Sequence, residues 1–206
     1  MVWAPSPDDA PMSAALVRDI ASIPSEQWRN GKGMTRTLAA QATDWRVSIA
    51  EVAHDGPYST FEGMTRLSVV LCGNGVVLRA NGRVTTLTPL AIAEYDGAIA
   101  WDATLTDGPV TALNVMCRRS AYRPSVQALT AAMIVPAGAS AILLAAGRAC
   151  HVAHSPDAAQ LRIDADRFTV FRNLEHPVQV SPDAADGKDR GFGLVPQLVI
   201  LEPSTT

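Results

Sequence analysis

Turn-forming dipeptides punctuate this chain at intervals that leave room for short strands and for almost no helix. Asn81-Gly82 stands between residues 76–79 (VVLR) and 84–87 (VTTL). Both positions of such a pair accept a positive φ, which a two-residue hairpin requires. Asp-Gly pairs at 55–56, 96–97, 107–108 and 186–187 break the chain again. Between breaks, Trp45, Val47, Ile49 and Glu51 alternate with Arg46, Ser48, Ala50 and Val52. That period of two places successive side chains on opposite faces of a strand. Segments rich in β-formers at 66–71 (RLSVVL), 110–116, 139–144, 160–163, 168–171, 178–181 and 197–201 predict further strands. Only residues 124–133 (PSVQALTAAM) carry a weak helix signal. The pattern predicts an all-β chain, a sandwich or a barrel.

Composition narrows the function classes. A chain of 206 residues is one large domain or two halves sharing a core. Hydrophobic residues at 48% and charged ones at 18% exclude a wholly disordered chain. Lys+Arg 17 against Asp+Glu 20 leaves a net charge of −3, so no basic field exists for non-specific nucleic-acid binding. Residues 124–147 carry no charge, but Pro136, Gly138, Ser140 and several alanines interrupt them, so no membrane span is expected. The first nine residues lack a basic region followed by an apolar run, and a cytoplasmic location is expected. Cys72, Cys117 and Cys150 are odd in number and far apart, which predicts no disulfide framework.

Polar residues concentrate in a few places. Residues 28–36 read WRNGKGMTR, with Trp28, Asn30, Lys32, Thr35 and Arg36 around two glycines. This is either a charged surface turn before a strand or a loop of backbone N–H groups and cations that holds an anion. The spacing is not that of a Walker loop. Arg46 and Ser48 share one strand face, which is either solvated or lines an interior. Asn114, Met116 and Arg118 share another face, with Val115, Cys117 and Arg119 opposite. Of the adjacent Arg118 and Arg119, one at most points inward on a regular strand; a guanidinium so placed suits a carboxylate. His54, His151, His154 and His176 form no zinc-like constellation, so no metal and no cofactor are expected.

The segments WRNGKGMTR (28–36), WRVSIAEV (45–52), DGPYSTFEG (55–63) with Arg66, and GPVTALNVMCRR (108–119) closely resemble the HutD/Ves family. The order and spacing fit over residues 15–125, and the second half matches by length and β character. The resemblance implies a bicupin of the double-stranded β-helix, jelly-roll type: two β-barrels in one chain, without the usual cupin metal ligands. It implies a flexible 1–13, a first barrel over 14–120 bearing the pocket, and a second cupin-like half over 121–206. Carried over by position, the pocket comprises Trp28, Asn30, Thr35, Arg36, Arg46, Ser48, Ser59, Arg66 and Asn114. The implied partner is a small anionic metabolite such as N-formyl-L-glutamate, and the implied role is non-enzymatic regulation of histidine utilisation. The alternative is a metal-free cupin enzyme, an isomerase or hydrolase of an acidic amino-acid derivative. A homodimer is expected at most, with no nucleic acid and no membrane as partner. Two positions depart from the family pattern: Lys32 replaces the middle of three glycines, and Ala112 stands where an Asp is common. Tyr58 replaces the usual Phe and adds a hydroxyl.

Overall fold

The computed structural model describes residues 16–28, 30–153, 160–184 and 195–204. The stretch 1–13, His154, Arg29 and most of the polar 181–190 lie outside the described residues. Along the chain come β1 (Arg18–Asp19), β2 (Ser25–Gln27), β3 (Gly33–Gln41), β4 (Trp45–Val52), β5 (Gly56–Pro57) and β6 (Met64–Cys72). Next are β7 (Val76–Ala80), β8 (Arg83–Leu87), β9 (Ile92–Asp96), β10 (Asp102–Leu105), β11 (Val110–Arg118) and β12 (Tyr122–Ala128). Last are β13 (Met133–Val135), β14 (Ser140–Leu144), β15 (Cys150–Ala153), β16 (Leu161–Ile163), β17 (Arg167–Phe171), β18 (Val178–Pro182) and β19 (Gln197–Pro203). Among the described residues the one helical piece is a 3-10 turn at Ile20–Ser22. Residues 124–133 are not helical: 124–128 lie in β12, 129–132 turn the chain and Met133 opens β13. No helix among the described residues is long and apolar enough to cross a membrane.

The chain divides into two compact units. The first is built on Ile23–Pro124 and holds a six-stranded sheet, β2-β3-β4-β11-β6-β9, and a four-stranded sheet, β5-β10-β7-β8. The second is built on Ser125–Pro203 with the segment ending at Ser22, which joins it where Arg18 and Asp19 pair with Phe168 and Arg167. Its sheets are β1-β17-β14-β19-β12 and β13-β18-β15-β16.

No sheet closes into a barrel, which corrects the expectation of two closed barrels. In the first unit the passage from β8 to β9 meets β6 through one isolated bridge, Val70–Pro89. Pro89 has no N–H and cannot extend a ladder there. Each unit is instead a pair of sheets sharing a core. In the first, Val52, Val70 and Val110 of the larger sheet pack with Val76, Leu78, Leu87 and Ala103 of the smaller. In the second the core cluster is apolar, with Val135, Leu143, Cys150, Val152, Ile163, Phe171 and Leu198 among its members, and the buried polar residues are Ser140, Thr169 and Gln197.

Local chemistry matches the sequence where turns are tight. Asn81 and Gly82 take φ of 46° and 77° and close the β7–β8 hairpin. Gly33 is required for a different reason. A Cβ there would lie 2.5 Å from the Glu51 carbonyl oxygen and 3.1 Å from the Trp28 ring, so only glycine lets β3, β4 and that indole meet.

Leu78 is fully buried between the two sheets of the first unit. Leu78→Ala is expected to lower unfolding free energy by about 2–5 kcal/mol through lost burial and the cavity left behind. The shift in urea midpoint at unchanged slope measures it.

Candidate functional site

The pairing registers of the six-stranded sheet decide which polar residues meet. Arg46 lies opposite Met116, Met116 opposite Arg66, and Arg66 opposite Tyr95, which makes one row across β4, β11, β6 and β9. The next row is Ser48, Asn114, Ser68 and Ala93, with Thr37 completing it on β3. A third row, Thr35, Ala50, Ala112 and Val70, leads to the valines of the core. These rows are the inner face, toward the four-stranded sheet. The opposite face, with Trp45, Val47, Leu113, Val115 and Cys117, is apolar and equally buried.

Arg66 is the centre of the arrangement. It is 8% exposed, and its guanidinium carbon lies 5.0 Å from the Tyr95 ring centre, 5.2 Å from Tyr58 and 5.8 Å from Phe61. Its one hydrogen bond among the described residues is a long one, 3.4 Å to the carbonyl of Ser59. Its Nε is buried without a hydrogen-bond partner among the described residues. Arg46 sits over Phe61 at 5.7 Å. Burial lowers the Arg46 pKa, the Arg66 charge lowers it further, and Glu26 opposes both. The Tyr58 phenol is pushed up by burial and then by Tyr95, against Arg66, so it is neutral at ordinary pH. No carboxylate or imidazole stands in the first two rows; the third begins at Glu26 of β2, which pairs with Thr35.

A strap holds two of the rings in place. Tyr58 N donates to the Trp101 carbonyl at 2.8 Å and Phe61 N to the Gly97 carbonyl at 2.7 Å. Asn30 Nδ2 donates to the Pro57 carbonyl at 3.3 Å and Lys32 Nζ to the Asp55 carbonyl at 2.5 Å. Lys32 lies where a Cβ on Gly56 would be. Trp28 packs edge-on against Tyr58 at 5.9 Å and donates its Nε1 hydrogen to Thr35 Oγ1 at 2.7 Å.

The nine expected pocket residues thus divide. Arg46, Ser48, Arg66, Asn114 and Thr35 share the inner face. Trp28 reaches Thr35 from outside the sheet. Ser59 contributes its carbonyl, and its side chain is exposed. Asn30 and Lys32 hold backbone carbonyls, so this loop works as a clasp on the strap. Arg36 does not join the others: it pairs with Ile49, on the opposite face, and its NH1 donates to the Ile23 carbonyl at 2.6 Å. A bulge between Thr37 and Ala39 absorbs Leu38 and lets Thr35, Thr37 and Ala40 all face inward. Neither Arg118 nor Arg119 enters the interior; Arg118 pairs with Asp44 at 3.4 Å, and Arg119 with Asp96. Ser68, Thr37, Phe61 and Tyr95 were missed. Ser68 was within reach, two residues after Arg66 on the same strand.

The HutD family model matches residues 20–185. The chain belongs to the HutD family. This HutD chain is 34% identical to a Ves protein of Citrobacter koseri over 116 residues, 53% of the chain and 61% of that relative. The alignment therefore spans about three fifths of the relative's length, the 61% just given. A Pseudomonas putida relative, described as an uncharacterized 21.2 kDa protein in the hutC 3' region, is 28% identical over 140 residues, 65% of this chain and 74% of the relative. Among solved structures, HutD from Pseudomonas fluorescens superposes with a TM-score of 0.75 at 20% identity, over 93% of this chain and 100% of that one. A cupin 2 conserved barrel domain protein from Leptotrichia buccalis gives 0.55 at 12% identity, over 94% and 99%. These structural likenesses establish an all-β fold with cupin-like neighbours.

Among the described residues, no three His, Cys, Asp or Glu side chains gather as a metal site. His151 faces Asp183 at 3.1 Å in the second unit, and Arg162 holds the same carboxylate at 2.6 Å. Burial pushes the Cys117 thiol up to about 11 and the Cys150 thiol up to about 12, while Cys72 is exposed. A disulfide-exchange reagent at neutral pH is expected to label Cys72 quickly and the other two only after denaturation. Three equally fast thiols would contradict this burial.

Proposed function

We propose that this chain is a non-enzymatic binder of a small acidic metabolite, with a role in controlling histidine utilisation. The site is the inner face of the six-stranded sheet, and N-formyl-L-glutamate is the ligand whose chemistry suits it best. The observation that carries the reading is Arg66, 8% exposed and without an ion pair among the described residues. Desolvating a guanidinium costs several kcal/mol. Three rings return about 0.5–2 kcal/mol each. One bond at 3.4 Å adds little to that. A ligand carboxylate supplies the missing counter-charge through a fork of parallel hydrogen bonds. Asn114, one row away, is the right group for a formyl or amide oxygen. The rows around Arg66 and Asn114 offer mainly donors, with the Glu26 carboxylate at the edge of the third row, and such a face suits holding an anion more than turning it over. The hutC-region setting of the Pseudomonas putida relative supports the link to histidine utilisation.

Calorimetric titration with N-formyl-L-glutamate tests the reading. Arg66→Met is expected to weaken binding by about 2–5 kcal/mol while the protein stays folded, because the buried charge leaves with its partner. Arg36→Met is the contrasting variant. It removes the bond to Ile23, is expected to lower stability by about 1.5–3 kcal/mol, and leaves affinity unchanged. Equal affinity in wild type and Arg66→Met, or no heat with any small carboxylate, would overturn the proposal.

A further inference from the structure

We infer that Tyr95 and Ser68 lock the Asn114 amide in one orientation, so that the site takes acids lacking an ammonium group and rejects free amino acids. The inference rests on the binding reading above and assigns selectivity to two residues that need not touch the ligand. The Tyr95 hydroxyl lies 2.9 Å from Ser68 Oγ, and Ser68 Oγ lies 2.6 Å from Asn114 Oδ1. Tyr95 is 6% exposed and Ser68 wholly buried.

Distance alone permits several proton arrangements; burial selects one. Among the described residues, Ser68 is the one hydrogen-bond partner of the Tyr95 hydroxyl. The Arg66 guanidinium, 5.0 Å from the ring centre, can only donate. The Tyr95 proton therefore goes to Ser68. The single proton of Ser68 then goes to Asn114 Oδ1. Turning the amide over would aim its NH2 at Ser68 and leave a buried serine proton without an acceptor, which is the costly outcome for a desolvated hydroxyl.

The amide oxygen is thus held on the Ser68 side, and its two N–H donors have no partner among the described residues. Arg46 and Arg66 in the adjacent row are donors only. The Ser48 hydroxyl is the one group beside Asn114 on β4 that can turn either way. Donors on both rows match the oxygens of a dicarboxylate or an N-acylated acidic amino acid. A ligand ammonium at these two rows meets two cations and the N–H side of the amide, while the Glu26 carboxylate stands a row away, opposite Thr35.

Titration of glutarate and of L-glutamate, which differ by the ammonium group, reads this selectivity directly. Wild type is expected to prefer glutarate by about tenfold or more, as like charges repel across a desolvated contact. In Ser68→Ala the amide is released to offer its oxygen, and the preference is expected to fall by roughly 3- to 10-fold. Tyr95→Phe is expected to shift it the same way by less, since Ser68 then regains a choice of roles. If Ser68→Ala does not fold by thermal melt, Tyr95→Phe carries the test. An unchanged preference in the folded variants, with glutarate binding still lost in Arg66→Met, overturns this inference and leaves the binding reading intact. Absence of binding of glutarate, L-glutamate and N-formyl-L-glutamate to the wild type overturns both.

Discussion

A guanidinium set on the inner face of a β-sheet obliges its surroundings to be arranged on its behalf. Arg66 comes from the middle of a long strand, where the backbone cannot move to relieve it. Three rings reach it from separate pieces of chain: Tyr95 from the edge strand beside it, and Tyr58 and Phe61 from the strap. The strap is fixed by backbone bonds to Trp101 and Gly97 and by side-chain bonds from Asn30 and Lys32. The glycine-rich loop, the strap and the sheet therefore form one chain of dependence that ends at a single charge. The second unit, whose core cluster is apolar, has no comparable demand to meet.

Much of this was legible in the residues, and what was not has a physical cause. The alternation in WRVSIAEV placed Arg46 and Ser48 together, and the same rule joined Asn114 to Met116. That these faces adjoin, with Arg66 between Met116 and Tyr95, depends on strand pairing, which no period within one strand encodes. Arg36 illustrates the gap. Its type and its place among polar neighbours suit a carboxylate ligand, yet pairing with Ile49 turns it to the other face. The parity of β3 relative to β4 is set across the ladder, and the bulge at Leu38 resets it midway. β9 escaped notice because IAEYD is short and carries two acids, and with it went Tyr95.

The fold was legible to the level of class and no further. Turn dipeptides located the β7–β8 hairpin and the all-β character. Whether two sheets seal into a barrel depends on a few hydrogen bonds at their margins, and Pro89 withholds one of them. Family resemblance supplied the pocket's composition, and in the loop it drew from, WRNGKG, Asn30 and Lys32 are bonded to the Pro57 and Asp55 carbonyls. Lys32 stands where the resemblance led us to expect glycine, and its ammonium is engaged by the Asp55 carbonyl, so the departure stiffens the strap.

The three inner rows differ in what they put forward: guanidinium, then hydroxyl and amide, then the methyl groups of Ala50 and Ala112 before the valines begin. Adjacent rows on one face are separated by two residues of strand, roughly 6.5–7 Å. Such a face acts as a ruler. On the binding reading proposed above, a guest whose charge rests at the arginine row has its middle against the amide row and its far end against methyl groups, with Thr35 and Glu26 at the margin of that third row. On that reading length and the position of polarity are sensed together, and a second carboxylate has to lie within the first two rows, where the donors are.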